Sequence, residues 1–170
     1  AIDIPQASVT ENEQLEVVFV GRGAPQKRIH LIASIAQMIH AAGDKIHFSF
    51  VGDVEKVINP ADLPFCKFYG NVNDERLMDK IYRQSDVLIL TSAFEGLPIV
   101  VMTMMAYGKI VLSTAVNGIP DYIEHMKNGL LIYETEEIEI VNKGVELLRL
   151  LLLQPDLKIT LGKKNREVAI

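Results

Sequence analysis

DVLILTS (86–92), AFEGLP (93–98), IVVMTMMAYG (99–108) and KIVLST (109–114) follow one another without interruption, and their reading decides the fold. The first piece is apolar on both faces, as a central parallel strand must be when helices cover both sides of its sheet. The second is a polar loop. Pro98 suits the first position of a helix, where its missing N–H costs nothing. The third is helix-length and nearly free of polar side-chain atoms; its one side-chain hydroxyl before Tyr107 belongs to Thr103. Gly108 stops it, as glycine does just past a helix end. The fourth piece is again strand-like. Strand, loop, helix, strand is the βαβ unit of a parallel sheet.

The same alternation extends in both directions. LEVVFVG (15–21) is a short β-branched run closed by glycine, and Gln26 to Ala42 carries a helical stripe at Ile29, Ile32, Ala33, Ala36 and Ile39, ended by Gly43. KIHFSFVG (45–52) and CKFYG (66–70) read as strands. Asn73 or Asp74 caps a helix to about Gln84, with Leu77, Met78 and Ile81 turned inward. Ile119 to Glu124 reads as a helical turn, GLLIY (129–133) as a sixth strand and Glu136 to Leu153 as a long helix. A charged helix after Pro155 runs toward Glu167. The expectation is an α/β, Rossmann-like, doubly wound parallel sheet of about six strands with helices on both faces, over residues 16–170. Residues 1–15 read as a linker or tail. The leucine-rich LLRLLLL (147–153) reads as the buried face of a terminal helix.

Composition narrows the functions. The chain has 170 residues, 49% of them apolar, with 17 basic and 22 acidic groups for a net charge of −5. That is one globular domain with a mildly acidic balance, a poor match to nucleic acid, which needs a basic footprint. Cys66 is the sole cysteine, so no internal disulfide forms, in keeping with a cytoplasmic location. Neither cysteine nor histidine spacing suggests a metal site. The polar start AIDIPQASVTENEQ lacks a leader pattern, and the ends read as those of a domain excised from a larger protein.

Three loops fall where ligands bind in such sheets, beyond the carboxyl ends of the strands. GRGAPQKR (21–28) puts Arg22 and Lys27 between the first strand and its helix, a suitable place for an anion; surface charge on a solvated loop accounts for them equally well. As a dinucleotide fingerprint the loop fits badly, since Gln26 stands where a third glycine belongs. Asp53 reads as a turn residue rather than a ribose-binding acid. TSAFEGLP (91–98) offers the backbone amides of Gly96 and Leu97 at the mouth of the apolar helix, with Glu95 beside them. That carboxylate either serves the helix dipole or accepts hydrogen bonds from ligand hydroxyls. In VNGIPDYIEH (116–125), Gly118 and Pro120 force a tight turn and Asp121 begins a short helix. Ser92 and Thr114 lack a nearby base, so nucleophilic catalysis is not expected.

VVFVGRGAPQKR, FSFVGD, FYGNVND, SDVLILTSAFEGLPIVVMTMMAYGKIVLST and NGIPDYIEHMKNGLLI, in this order over nearly the whole chain, resemble the C-terminal donor-binding domain of GT-B retaining glycosyltransferases, the glycosyl transferases group 1 family. The resemblance implies that Arg22 and Lys27 hold the donor diphosphate and offset its charge as it departs. It implies that Glu95, the first acid of an E-x7-E motif, contacts the donor sugar, and that Gly96, Leu97 and Pro98 form the loop whose amides face the phosphates. Val72 would border the base. No separate cofactor or metal is implied, because the nucleotide-sugar is the substrate. UDP- or GDP-sugars lead the expectation, with ADP-sugars also open.

Two positions depart from the pattern. Thr103 stands where the second acid holds ribose hydroxyls; losing a charged hydrogen bond costs about 1.5–3 kcal/mol. Arg28 stands where glycine usually follows the lysine. The apolar helix is expected to be buried on most of its circumference. The function implied is the donor half of a hexosyltransferase-type enzyme whose acceptor site lies mainly in an N-terminal domain. The isolated domain is then expected to bind nucleotide without turning over. Relatives with lipid acceptors often associate with membranes, so the resemblance allows peripheral membrane contact by the full-length protein. A degenerate binding module that kept the fold and lost the activity is the alternative, and Thr103 is its main support. A sugar-nucleotide epimerase is less well matched.

Overall fold

The computed structural model describes residues 14–96 and 99–168. Six strands, β1 (Leu15–Val20), β2 (Ile46–Val51), β3 (Lys67–Gly70), β4 (Val87–Leu90), β5 (Ile110–Thr114) and β6 (Leu130–Ile132), form one all-parallel sheet in the order β3-β2-β1-β4-β5-β6. The helices are α1 (Ile29–Ala42), α2 (Glu75–Gln84), α3 (Ile99–Ala106), α4 (Ile119–Tyr122), α5 (Glu137–Leu153) and α6 (Pro155–Val168). The chain steps from β1 to β2 in one direction along the sheet and from β4 to β5 in the other. Right-handed crossovers then put α1 and α3 on opposite faces. Accordingly α1 packs on α5, and α3 on α6. The doubly wound reading of the sequence is the structure.

The sheet is the core. Val18, Val87, Leu88, Ile89, Val111 and Leu112 are fully buried, clamped between Ile32, Ile35 and Ile39 of α1 and Met104 and Met105 of α3, among others. Burying one such aliphatic side chain is worth roughly 1.5–3 kcal/mol. Asp74 caps α2 by accepting from the Arg76 amide at 2.9 Å, and Gly43, at φ 77°, closes α1.

The structure corrects three expectations of detail. The helix expected from Gln26 is two pieces: a 3-10 turn, Pro25–Lys27, and then α1, separated by Arg28 in the left-handed region (φ 45°, ψ 45°). Lys27 therefore ends a turn rather than opening α1. In the third loop the tight turn expected from Gly118 and Pro120 rests on Asn117, which takes the left-handed conformation (φ 48°), while Gly118 sits at an ordinary φ of −80° and caps α4. Asparagine is among the few side chains that tolerate this conformation. Finally, α3 is not buried around most of its circumference. Val101, Met104 and Met105 are covered, but Ile99 is 70% exposed and Met102 36%. The sequence lacks any polar stripe to mark that open side. Likewise Leu147, Leu148 and Leu151 of the leucine run are buried while Leu153 faces solvent. The tail up to Glu13, and Leu97 and Pro98, lie outside the described residues.

A candidate donor site at the strand switch point

Strand order reverses between β1 and β4, and in doubly wound sheets the crevice at that reversal takes the ligand. The loops leaving these two strands, 21–28 and 91–96, carry Arg22, Lys27, Arg28, Glu95 and Gly96. The structure fuses them into one network. The Lys27 Nζ donates to both carboxylate oxygens of Glu95 at 2.9 Å, with the two side chains only 19% and 7% exposed. Ser92 Oγ also donates to Glu95 Oε1, and the Glu95 amide donates to Asn117 Oδ1 at 2.7 Å. Glu95 is thus held by a cation, a hydroxyl and a carboxamide from three separate loops. The expectation that Ser92 has no base nearby is corrected: the carboxylate is adjacent, but Lys27 already occupies both of its oxygens.

The floor of this site is made of buried hydroxyls. Thr91 and Ser92, just beyond the end of β4, and Ser113 and Thr114 of β5 are between 0% and 2% exposed. Each is satisfied, as buried polar groups must be. Thr91 Oγ1 donates to the Arg28 carbonyl at 2.9 Å, Thr114 Oγ1 to the Ser92 carbonyl at 2.8 Å, and Ser113 Oγ to the Thr114 carbonyl at 2.9 Å. The Ala93 amide donates to the Gln26 carbonyl at 2.8 Å, a further tie between the loops.

Not every expected residue joins the network. Arg22 is exposed; its carbonyl accepts from the Ala24 amide at 2.9 Å, and its guanidinium has no hydrogen-bond or ion-pair partner among the described residues, which leaves its charge available. Gly96 is exposed, and a Cβ there would meet nothing within 4 Å. Leu97 and Pro98 are not described. Val72 is half-buried after β3, on the same carboxyl edge, with β2 between its strand and β1. Thr103 is half-exposed one turn into α3, and its Oγ1 donates back to the Ile99 carbonyl at 3.0 Å. That local bond is the habit of threonine in helices. Asp53 is a turn pin. Its Oδ1 accepts from the Gly23 amide at 2.7 Å, and Lys56 pairs with it at 2.6 Å. The Lys56 hydrogen bond first, and then the Gly23 amide, hold this carboxyl down at about 2. The G-x-G glycines are explained by packing: a Cβ on Gly23 would lie 2.2 Å from the Asp53 carbonyl oxygen.

Burial pushes the Cys66 thiol up to about 12, so almost none is thiolate at neutral pH. No group of three or more potential metal ligands occurs among the described residues.

Ser92, Asn117, Thr91 and Arg28 were not picked out as site residues by the sequence. Asn117-Gly118 is a known left-handed signature that could have flagged the first turn. Arg28, in the place of an expected glycine, implied a left-handed residue there.

Comparison with known proteins gives the family and the fold. Residues 2–168 match the model of the family described as glycosyl transferases group 1. The chain belongs to that family. An uncharacterized glycosyltransferase of Methanocaldococcus jannaschii is 29% identical over 131 residues, covering 72% of this chain and 33% of the relative. Among solved structures, TarM superposes with a TM-score of 0.78 at 21% identity, covering 98% of this chain and 34% of TarM. Anabaena HepE, solved in complex with UDP-glucose, superposes at 0.75 with 20% identity, covering 92% of this chain and 44% of HepE. The chain spans about a third to a half of the curated relatives it matches. It is a glycosyltransferase domain with the Rossmann-like fold of GT-B enzymes. Among the described residues, no helix is long and apolar enough to cross a membrane.

Proposed function

We propose that this domain binds the nucleotide-sugar donor of a retaining, hexosyl-transferring GT-B enzyme in the crevice between β1 and β4. The observation that carries the reading is the Lys27–Glu95 pair, a cation and a carboxylate held together over the switch point. A diphosphate needs the first and a sugar hydroxyl the second. The Arg22 guanidinium, without a partner among the described residues, supplies a second cation at the rim. Gly96, Leu97 and Pro98 precede α3 in the sequence, and in this reading the positive end of that helix's dipole favours phosphate. Val72 lies two strand spacings from β1, roughly 10 Å along the edge, a distance suited to a base extending from phosphates at the centre.

An incoming diphosphate competes with Glu95 for Lys27. Freed from that cation, the carboxylate can accept from the sugar, while Lys27 and Arg22 stabilise negative charge that grows on the leaving nucleoside diphosphate. The donor is a UDP- or GDP-sugar in this reading and is consumed as substrate, with no separate cofactor. The acceptor and further catalytic groups belong to a second, N-terminal domain, so residues 16–170 alone bind but do not transfer. A cytoplasmic setting, with peripheral membrane contact through the whole protein, completes the proposal.

Calorimetric titration of the domain with UDP, GDP and ADP and their common sugar conjugates tests this. One nucleotide class is expected to saturate, and Arg22→Ala to weaken it at least tenfold. If no nucleotide binds either the domain or the full-length protein, the degenerate-module reading takes over. Thr103 is the feature that supports this alternative, since its hydroxyl proton goes to the Ile99 carbonyl and it brings no charge to a ribose.

A further inference from the structure

Arg28 does more than turn the chain. Its Nε donates to the Thr91 carbonyl at 2.9 Å and an Nη to the Ser92 carbonyl at 3.0 Å. Both acceptors lie past the end of β4 in fully buried residues, where a carbonyl needs a donor. The contact is reciprocal, since Thr91 Oγ1 donates to the Arg28 carbonyl. Ser92, gripped in this way, donates to Glu95, and Lys27, on the other side of Arg28, pairs with the same carboxylate. A left-handed residue is cheapest as glycine. Glycine would turn the chain equally well, but it would bring no donor to either carbonyl.

We propose that Arg28 is a positioning residue for Glu95: its guanidinium fork fixes the Thr91–Ser92 backbone, and so fixes where the carboxylate meets the donor sugar. The role in sugar binding rests on the donor-site reading above. The fork matters, because two carbonyls are served from one rigid plane. A lysine at this position has a single ammonium and cannot reproduce that geometry.

Two measurements on the domain test it. The first is amide hydrogen exchange at Ala93 and Glu95, whose N–H groups are bonded to the Gln26 carbonyl and to Asn117. Arg28→Gly relieves the left-handed backbone and keeps the fold, so α1 amides should exchange as before. Ala93 and Glu95 should exchange at least tenfold faster in Arg28→Gly and by an intermediate factor in Arg28→Lys. Unchanged exchange at these two amides overturns the proposal. The second is the ratio of affinities for UDP and UDP-glucose, and for GDP and GDP-mannose. Arg28→Gly should weaken the sugar conjugate about tenfold relative to its bare diphosphate, whose own affinity stays within about twofold. Equal weakening of both overturns the positioning role in favour of a phosphate contact. If neither the domain nor the full-length protein binds any UDP, GDP or ADP ligand, the donor-site reading fails and the sugar clause with it, while the exchange data still decide whether Arg28 fixes the loop.

Discussion

On the donor-site proposal, replacing Thr103 by glutamate should strengthen the hold on a nucleoside. Thr103 is the fifth residue of α3 and half-exposed, and its hydroxyl proton is already given to the Ile99 carbonyl. It can therefore accept from a ribose hydroxyl but has no charge to offer. A carboxylate there would make a charge-assisted bond worth about 1.5–3 kcal/mol. Solvent reaches the position, so the lower end applies, about 1.5 kcal/mol or roughly tenfold in affinity. Stability should move by less than about 0.5 kcal/mol: glutamate has the higher helix propensity, and the lost back-bond to Ile99 is one that tends to loosen helices. Calorimetric titration of wild type and Thr103→Glu with UDP and 2′-deoxy-UDP at one ionic strength is the assay. UDP should bind about tenfold more tightly to the variant, and 2′-deoxy-UDP should gain clearly less. Equal affinities in the two proteins, or an equal gain for both ligands, would refute the placement of ribose beside Thr103.

Perturbations at four other positions follow from the geometry. Lys27→Met leaves the Glu95 carboxylate, 7% exposed, with Ser92 as its remaining side-chain donor. Urea unfolding should show a loss of about 1–3 kcal/mol, partly recovered when Glu95→Gln is added, and a purely additive double variant would contradict the coupling. Asp53, held at about 2 against an ordinary 3.8, is a depressed acid, so its contribution is complete above about pH 3.8 and fades as pH falls toward 2. Urea midpoints measured between pH 5 and pH 2 should fall less steeply for Asp53→Asn than for wild type across that window. Gly52→Ala should abolish the folded far-UV circular dichroism signal or cost several kcal/mol, because Gly52 sits at φ 121° and a Cβ would lie 1.8 Å from the Gly21 carbonyl oxygen. Gly96→Ala, where a Cβ meets nothing, should fold normally.

Much of this molecule was readable from its residues. The doubly apolar run at Val87–Leu90 announced a central strand, and the alternation around it announced the sheet. Strand order and the burial of α3 were less accessible. Periodicity can mark one face of a helix only when the other face is polar, and Ile99, Val100 and Met102 are as apolar as the residues that are covered. The loops at Lys27 and Glu95 stood out by residue type. That the two side chains touch did not, because pairing across the sheet depends on which strands lie side by side. Ser92 was hidden for another reason: small polar residues in loops are common, and only its burial shows that it holds something, whereas Asn117 carried a signal in the glycine that follows it.

The β1–β4 pairing joins the first three strands to the last three through two aligned pairs, Val17 with Val87 and Val18 with Leu88. Lys27 and Glu95 lie 68 positions apart along the chain and close over that same seam. A polyanion seated there would act as a rivet between two halves that are made at different times on the ribosome. The second half must emerge before the first can complete its binding surface. Cut between β3 and α2, the chain would yield two fragments with one partner of the pair each, so recovery of nucleotide affinity on mixing would report their reunion directly.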